Sequence, residues 1–253
     1  MQVGLIGAGN MARAIARGWG EPVLCTDSGS GRAQALVDEL GGERVANNRE
    51  LAERCDLVVL CHKPYHLESV AVELLGVAKA VASVLGGTPR ARLQAAYPGT
   101  PVFALMPNTP VEVRRGVVVY AQPPTDANVP PALEQEVLAR FAELGEVVPV
   151  AERLLDAATA VTGVGPAYQA LLIEAQVDAA VRHGLGAQLA AELVVRTVAG
   201  SAALLAARDY DTLAVRREVT SPGGSTARGL AALERGGVRT AFQDAIDAVV
   251  RPS

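Results

Sequence analysis

Short apolar runs of strand length alternate with segments of helical period through the first 150 residues of this 253-residue chain, and strand-like runs then cease. Runs at residues 3–6, 22–26, 56–60, 80–85 and 102–105 read as strands, with helices expected over about residues 11–19 and 32–40. Strands alternating with helices predict a parallel, doubly wound sheet. Residues 117–120 and 147–150 are further strands that can extend it. Between them lie a proline-rich loop (122–131) and a helix over about residues 132–144. Pro166 suits the first turn of a helix that runs to about His183, and Gly184 and Gly186 stop it. A second long apolar helix covers about residues 187–207. Leu171, Leu172, Ala175, Ala179 and Ala180, with Leu193, Val194, Thr197 and Val198, make these helices apolar on more than one side. The expected organisation is α/β: a dinucleotide-binding, doubly wound sheet over residues 1–150 and an all-α domain over residues 151–253 that dimerises through its helices. Packing of those faces against the first domain is the alternative.

The first strand runs into Gly7-Ala8-Gly9-Asn10-Met11-Ala12, a Gly-x-Gly-x-x-Ala turn that opens a helix. Glycines at this spacing allow a tight turn and the close approach of a pyrophosphate, whose charge faces the helix N-terminus. The end of the second strand, Thr26-Asp27-Ser28-Gly29-Ser30-Gly31-Arg32, bears on cofactor choice. An acid here can accept from a ribose 2′-hydroxyl and repel a 2′-phosphate, so Asp27 leans towards NAD. Arg32 with Ser28 and Ser30 can instead hold a phosphate, and Asp27 can be a turn residue. On the first reading Asp27→Ser shifts preference towards NADPH.

Cys61-His62-Lys63-Pro64 and Met106-Pro107-Asn108-Thr109-Pro110 both follow strands, where a doubly wound sheet places its ligand crevice. Asn108 either bonds a ligand or closes the turn. Cys61, His62 and His66 are of metal-ligand type, but no pattern completes a tetrahedral set and no metal is expected.

Half of the chain is hydrophobic and only 4% aromatic, so the core is built mainly from Ala, Val and Leu. The net charge is −4 and no lysine/arginine block occurs, which argues against nucleic acid as a partner. Residues 1–6 lack a basic start, so no secretory leader is expected, and no apolar run is expected to span a bilayer. Cys25, Cys55 and Cys61 are an odd, unpatterned set that fits a reducing cytoplasm. The only lysines are Lys63 and Lys79, which removes catalytic lysine from the second half.

Late in the chain stands Val219-Thr220-Ser221-Pro222-Gly223-Gly224-Ser225-Thr226, two glycines and several hydroxyls leading into a helix over about residues 227–234. Unpaired amides at such a start can hold a small anion, and the hydroxyls can touch the same ligand or cap the helix. These motifs, with Gly165-Pro166-Ala167-Tyr168, occur in one order, and nearly the whole chain resembles the pyrroline-5-carboxylate reductase family.

The resemblance implies an N-terminal Rossmann domain, a helical C-terminal dimerisation domain, an active site completed across the dimer, and assembly of dimers into decamers in some members. It implies transfer of a hydride from NADPH or NADH to C5 of 1-pyrroline-5-carboxylate, giving L-proline. It implies cofactor contacts at Gly7, Gly9, Asn10, Met11, Asp27, Ser28, Asn48, His62, Lys63, Pro64, Met106 and Asn108. Substrate contacts are implied at Ser221, Gly223, Gly224, Ser225 and Thr226, the carboxylate lying on the amides of residues 223–227 and the Thr226 hydroxyl reaching the ring nitrogen. Three features depart from the family pattern. Val164 replaces a hydroxyl residue, residues 18–23 form a shorter connection, and Asp27 falls near a position where a small hydroxyl residue often binds the 2′-phosphate. Two other classes share the architecture. β-Hydroxyacid dehydrogenases need a lysine that this chain lacks after Lys79, and a non-catalytic nucleotide-binding homologue would have no need of both anion cradles.

Overall fold

The computed structural model describes residues 1–124 and 129–250, so part of the expected 122–131 loop lies outside the described residues. The first elements are β1 (Val3–Ile6), α1 (Asn10–Trp19), β2 (Val23–Thr26), α2 (Arg32–Leu40), β3 (Gly42–Arg44), α3 (Asn48–Arg54) and β4 (Leu57–Leu60). They are followed by α4 (Leu67–Leu74), β5 (Val81–Ser83), α5 (Arg90–Ala96), β6 (Val102–Pro107), β7 (Gly116–Ala121), α6 (Pro131–Ala142) and β8 (Gly145–Val150). All eight strands form one sheet in the order β3-β2-β1-β4-β5-β6-β7-β8. The central strands β4, β5 and β6 are buried throughout, because helices cover both faces of a parallel sheet. One core layer gathers Leu5, Ile15, Phe103 and Phe141, the other Ile6, Leu51, Leu60 and Leu67. Burying each such side chain contributes about 1.5–3 kcal/mol.

The sheet is not wholly parallel as the alternation predicts: β7 runs antiparallel to β6, and β8 then pairs parallel with β7. Residues 108–115 are too few for a crossover helix, so the chain can only turn back on itself.

The short connection after α1 is closed from outside. Arg114 donates from Nε to the Gly18 carbonyl (2.6 Å) and from Nη2 to the Trp19 carbonyl (3.1 Å), satisfying two orphan acceptors at the helix end. Gly18 packs directly on the 3₁₀ turn at Thr109–Val113, and an added Cβ would lie 2.2 Å from the Val111 carbonyl oxygen. That turn is pinned by its own backbone hydrogen bonds and cannot retreat easily. Gly18→Ala is therefore expected to destabilise the protein by about 1–3 kcal/mol despite alanine's better helix propensity. Equilibrium urea unfolding checks this; a midpoint at or above that of the native chain would contradict the packing argument.

α7 (Leu155–Thr162) follows the sheet, and its Leu155 and Ala158 join the core beneath β7. By its contacts the chain divides into compact units at Met1–Pro166 and Ala167–Ser253, while the strands end with β8 at Val150.

The remaining helices are α8 (Gly165–Arg182), α9 (Ala187–Ala206), α10 (Thr212–Glu218), α11 (Ser225–Arg235) and α12 (Val238–Val250). Among the described residues of these five helices, only Ala190 is buried. Leu171, Leu189, Leu193 and Val195 stand about half exposed or more. α9 also corrects one expectation: with 20 residues and a mean hydropathy of 1.6 over an 18-residue window, it is long and apolar enough to cross a membrane by length and composition.

Candidate active site

β1 and β4 are neighbours, yet the chain leaves them towards opposite sides of the sheet order, so a crevice opens beyond their carboxyl ends. Gly7 ends β1 with φ +98°, a left-handed conformation, and its N–H donates to the Thr26 carbonyl at 3.0 Å. A Cβ there would sit 2.9 Å from the backbone of Cys61 and His62, so the turn closes only around glycine. Gly9 caps α1 in an ordinary extended conformation, and a Cβ on it would meet nothing within 4 Å. Asn10 and Met11 form the first turn of α1, which carries no acidic residue.

The crevice, about 480 Å³, is lined by Gly7, Gly9, Asp27, Ser28, Asn48, His62 and Lys63 among the expected cofactor residues. Asn10, Met11, Pro64, Met106 and Asn108 are not in its lining. Met106 is buried in the core. Asn108 spends its amide on the fold: Oδ1 accepts from Val117 N (2.8 Å) and Nδ2 donates to the Thr162 carbonyl (3.1 Å). Of the two roles its sequence position allows, closing the turn is the one made here.

Sequence reasoning missed Asn47, Tyr65, Ser69 and Glu73 in this lining. They lie on α3 and α4 or at their starts, helices too short to show a period. A signal for α3 was present: Asn47 precedes Glu50 by three, and its side chain accepts from the Glu50 N–H at 2.9 Å. Asn48 accepts from the Thr26 hydroxyl and donates to Glu73 Oε2 at 2.9 Å. His62 Nδ1 lies 2.8 Å from the Lys63 carbonyl, which accepts only if Nδ1 carries the proton. Burial holds the ring's pKa below the usual histidine value against the opposing pull of that bond.

Asp27 is turned into its own loop. Oδ1 accepts from Gly29 N (3.2 Å), and Oδ2 accepts from the Ser30 hydroxyl (2.7 Å) and Ala33 N (3.2 Å). Arg44 Nε stands 3.8 Å from Oδ1, and the Asp27 side chain is 4% exposed. Burial alone would raise this carboxyl's pKa; the hydrogen bonds outweigh it and hold the group below the usual carboxylate range.

In the second unit, α10 begins at Asp211, whose carboxylate accepts from Leu213 N and Ala214 N, and ends in the expected loop. Gly223 turns the loop at φ +68°, and Gly224 caps α11 without a side-chain hydrogen bond. The first helical bond runs from Arg228 N to the Gly224 carbonyl at 3.2 Å. Among the described residues, the amides of Ser225, Thr226 and Ala227 and the hydroxyls of Ser221, Ser225 and Thr226 make no hydrogen bond within the protein. The Gly224 amide, expected to face the ligand, instead donates to the Ser221 carbonyl at 3.0 Å. Arg228 folds back, donating from Nη1 to the Gly223 carbonyl at 2.8 Å, and adds positive charge beside the helix start. The result is a cradle of free amides and hydroxyls suited to a small carboxylate.

Comparison with known proteins matches residues 152–253 to the family model described as pyrroline-5-carboxylate reductase dimerisation. Residues 2–87 match one described as NADP oxidoreductase, coenzyme F420-dependent. A pyrroline-5-carboxylate reductase from Synechocystis is 35% identical, covering 100% of this chain and 97% of its own. The crystal structure of the Plasmodium falciparum pyrroline carboxylate reductase with NADP bound has a TM-score of 0.87 at 28% identity, over 99% of this chain and 95% of that one. The 1-pyrroline-5-carboxylate reductase structure from Streptococcus pyogenes has a TM-score of 0.89 at 29% identity, over 99% and 96%.

Proposed function

Because the chain belongs to the pyrroline-5-carboxylate reductase family, we propose that it reduces 1-pyrroline-5-carboxylate to L-proline with NADPH or NADH. The observation that carries the reading is the unpartnered cradle at the start of α11, where amides and hydroxyls converge without serving the fold. The cofactor, when bound, supplies the hydride that adds to C5 of the ring. A protonated imine is already electrophilic, so the chain has to align, shield and hold charge rather than abstract a proton. This suits a helical unit that has no lysine.

The substrate carboxylate rests on the amides of Ser225, Thr226 and Ala227, with Ser221 and Ser225 hydroxyls beside it and Gly223 and Gly224 shaping the turn. Arg228 braces that turn through the Gly223 carbonyl. The Thr226 hydroxyl meets the ring nitrogen and steadies its proton. On the first unit, Gly7 and Gly9 let a pyrophosphate approach the start of α1, whose first turn Asn10 and Met11 form. Ser28 and Asn48 serve the adenosine end, and His62 and Lys63 the edge beyond β4, with Pro64 starting the 3₁₀ turn that follows. Met106 and Asn108 act by shaping the strand end behind them.

The exposed apolar faces of α8 and α9 support a homodimer, and further assembly into a decamer is testable by light scattering. The three unpaired cysteines, two of them buried, support a cytoplasmic setting.

The test is absorbance at the nicotinamide band on adding 1-pyrroline-5-carboxylate, with NADPH and NADH in parallel. No oxidation of either would refute the proposal. Thr226→Ala is expected to lower kcat/KM by roughly tenfold or more, from loss of one polar contact of about 1–3 kcal/mol. Unchanged kinetics in the purified variant would remove the role given to this hydroxyl.

A further inference from the structure

We propose that Asp27 is a positioning residue that clamps the β2–α2 turn, and that selectivity for the cofactor's 2′-substituent rests instead on Arg32, with Ser28 beside it. This rests on the reductase reading above. A carboxylate offers about four acceptor positions. Three of them are taken by Gly29 N, Ser30 Oγ and Ala33 N, and Arg44 faces the remaining side of Oδ1. Reading a ribose through its hydroxyls would require breaking bonds that hold the loop. The side chain is also almost wholly withdrawn from solvent, although the residue borders the crevice.

The same turn divides its polar groups into two sets. Asp27 and Ser30 are spent on each other. Ser28 and Arg32 line the crevice, and among the described residues neither side chain makes a hydrogen bond or an ion pair within the protein. Arg32 stands at the first position of α2, whose first turn has no acidic residue, so its charge adds to that of the helix start. The Asp27 charge, by contrast, is faced by Arg44. Glu73 also lines the crevice, where its carboxylate accepts from Asn48 Nδ2 at 2.9 Å. At the β2–α2 turn itself, among the described residues, the charge left without a partner is the Arg32 guanidinium, which favours an anion. The acid that sequence reasoning took for a repeller of phosphate becomes the part that holds the phosphate's partner in place.

Calorimetric titration of the full chain with NADP⁺ and with NAD⁺ separates the roles without relying on turnover. Arg32→Gln is expected to weaken NADP⁺ at least tenfold and leave NAD⁺ within about twofold. Asp27→Ser is expected to weaken both together, leaving their affinity ratio within about threefold of the native value. Asp27→Asn, which keeps the shape and part of the hydrogen bonding, is expected to restore most of the loss with the same ratio. Its folded baseline keeps the test valid should the serine variant unfold. A tenfold rise in the NADP⁺ to NAD⁺ affinity ratio in either Asp27 variant would overturn the proposal. So would equal weakening of both ligands by Arg32→Gln. Binding of neither dinucleotide by the native chain would instead strike at the reductase reading itself.

Discussion

Gly9→Val is expected to reduce kcat/KM by at least about hundredfold while leaving the fold intact. The two glycines of the opening turn do different work. Gly7 is required by the protein: its φ of +98° and the backbone of Cys61 and His62 at 2.9 Å exclude any side chain. Gly9 is not required by the protein: its φ is −74°, and nothing lies within 4 Å of where a Cβ would be. A valine there meets only the crevice, the volume that a pyrophosphate must enter to reach the α1 amides. Hundredfold corresponds to about 2.7 kcal/mol, the expected cost of separating a dianion from those amides by one branched side chain. The check pairs dinucleotide affinity with thermal unfolding. Native-like unfolding with affinity lost supports the argument; affinity within threefold of native would mean that no ligand lies over Gly9.

Leu193→Glu is expected to leave the chain monomeric at micromolar concentration and nearly inactive. Leu193 is 47% exposed on α9, in a helix with only Ala190 buried. In the proposed dimer, a carboxylate placed twice into this apolar face must be desolvated without a partner, which costs several kcal/mol for each copy. Sedimentation or light scattering reads the assembly directly. Activity is expected to fall with it, because the family resemblance places the completed site across two subunits. On the proposed dimer, the native chain is expected to melt at a temperature that rises with protein concentration. A monomeric native chain with full turnover would overturn this account.

The first unit was largely legible because apolar residues dominate its central strands. β4 is Leu57-Val58-Val59-Leu60, and β1 is short but ends in an unmistakable glycine turn. β3 was invisible for the opposite reason: Gly42-Glu43-Arg44 is an exposed edge with no alternation to detect. Strand direction leaves no trace in composition, so β7 was found and its antiparallel sense was not, although the brevity of residues 108–115 carried that information. The site divided similarly. The glycine and hydroxyl motifs fall at the starts of α1 and α11, since such motifs reflect backbone geometry. Asp27 could not be read, because the same residue serves a ribose or its own loop depending on which way one carboxylate points.

The helical unit contains one buried residue among its five helices. In the proposed homodimer, a second copy would cover the apolar faces that residues 167–250 leave exposed. In that arrangement the chain's concentration would enter twice, once as catalyst and once as scaffold, so activity per chain would fall on dilution.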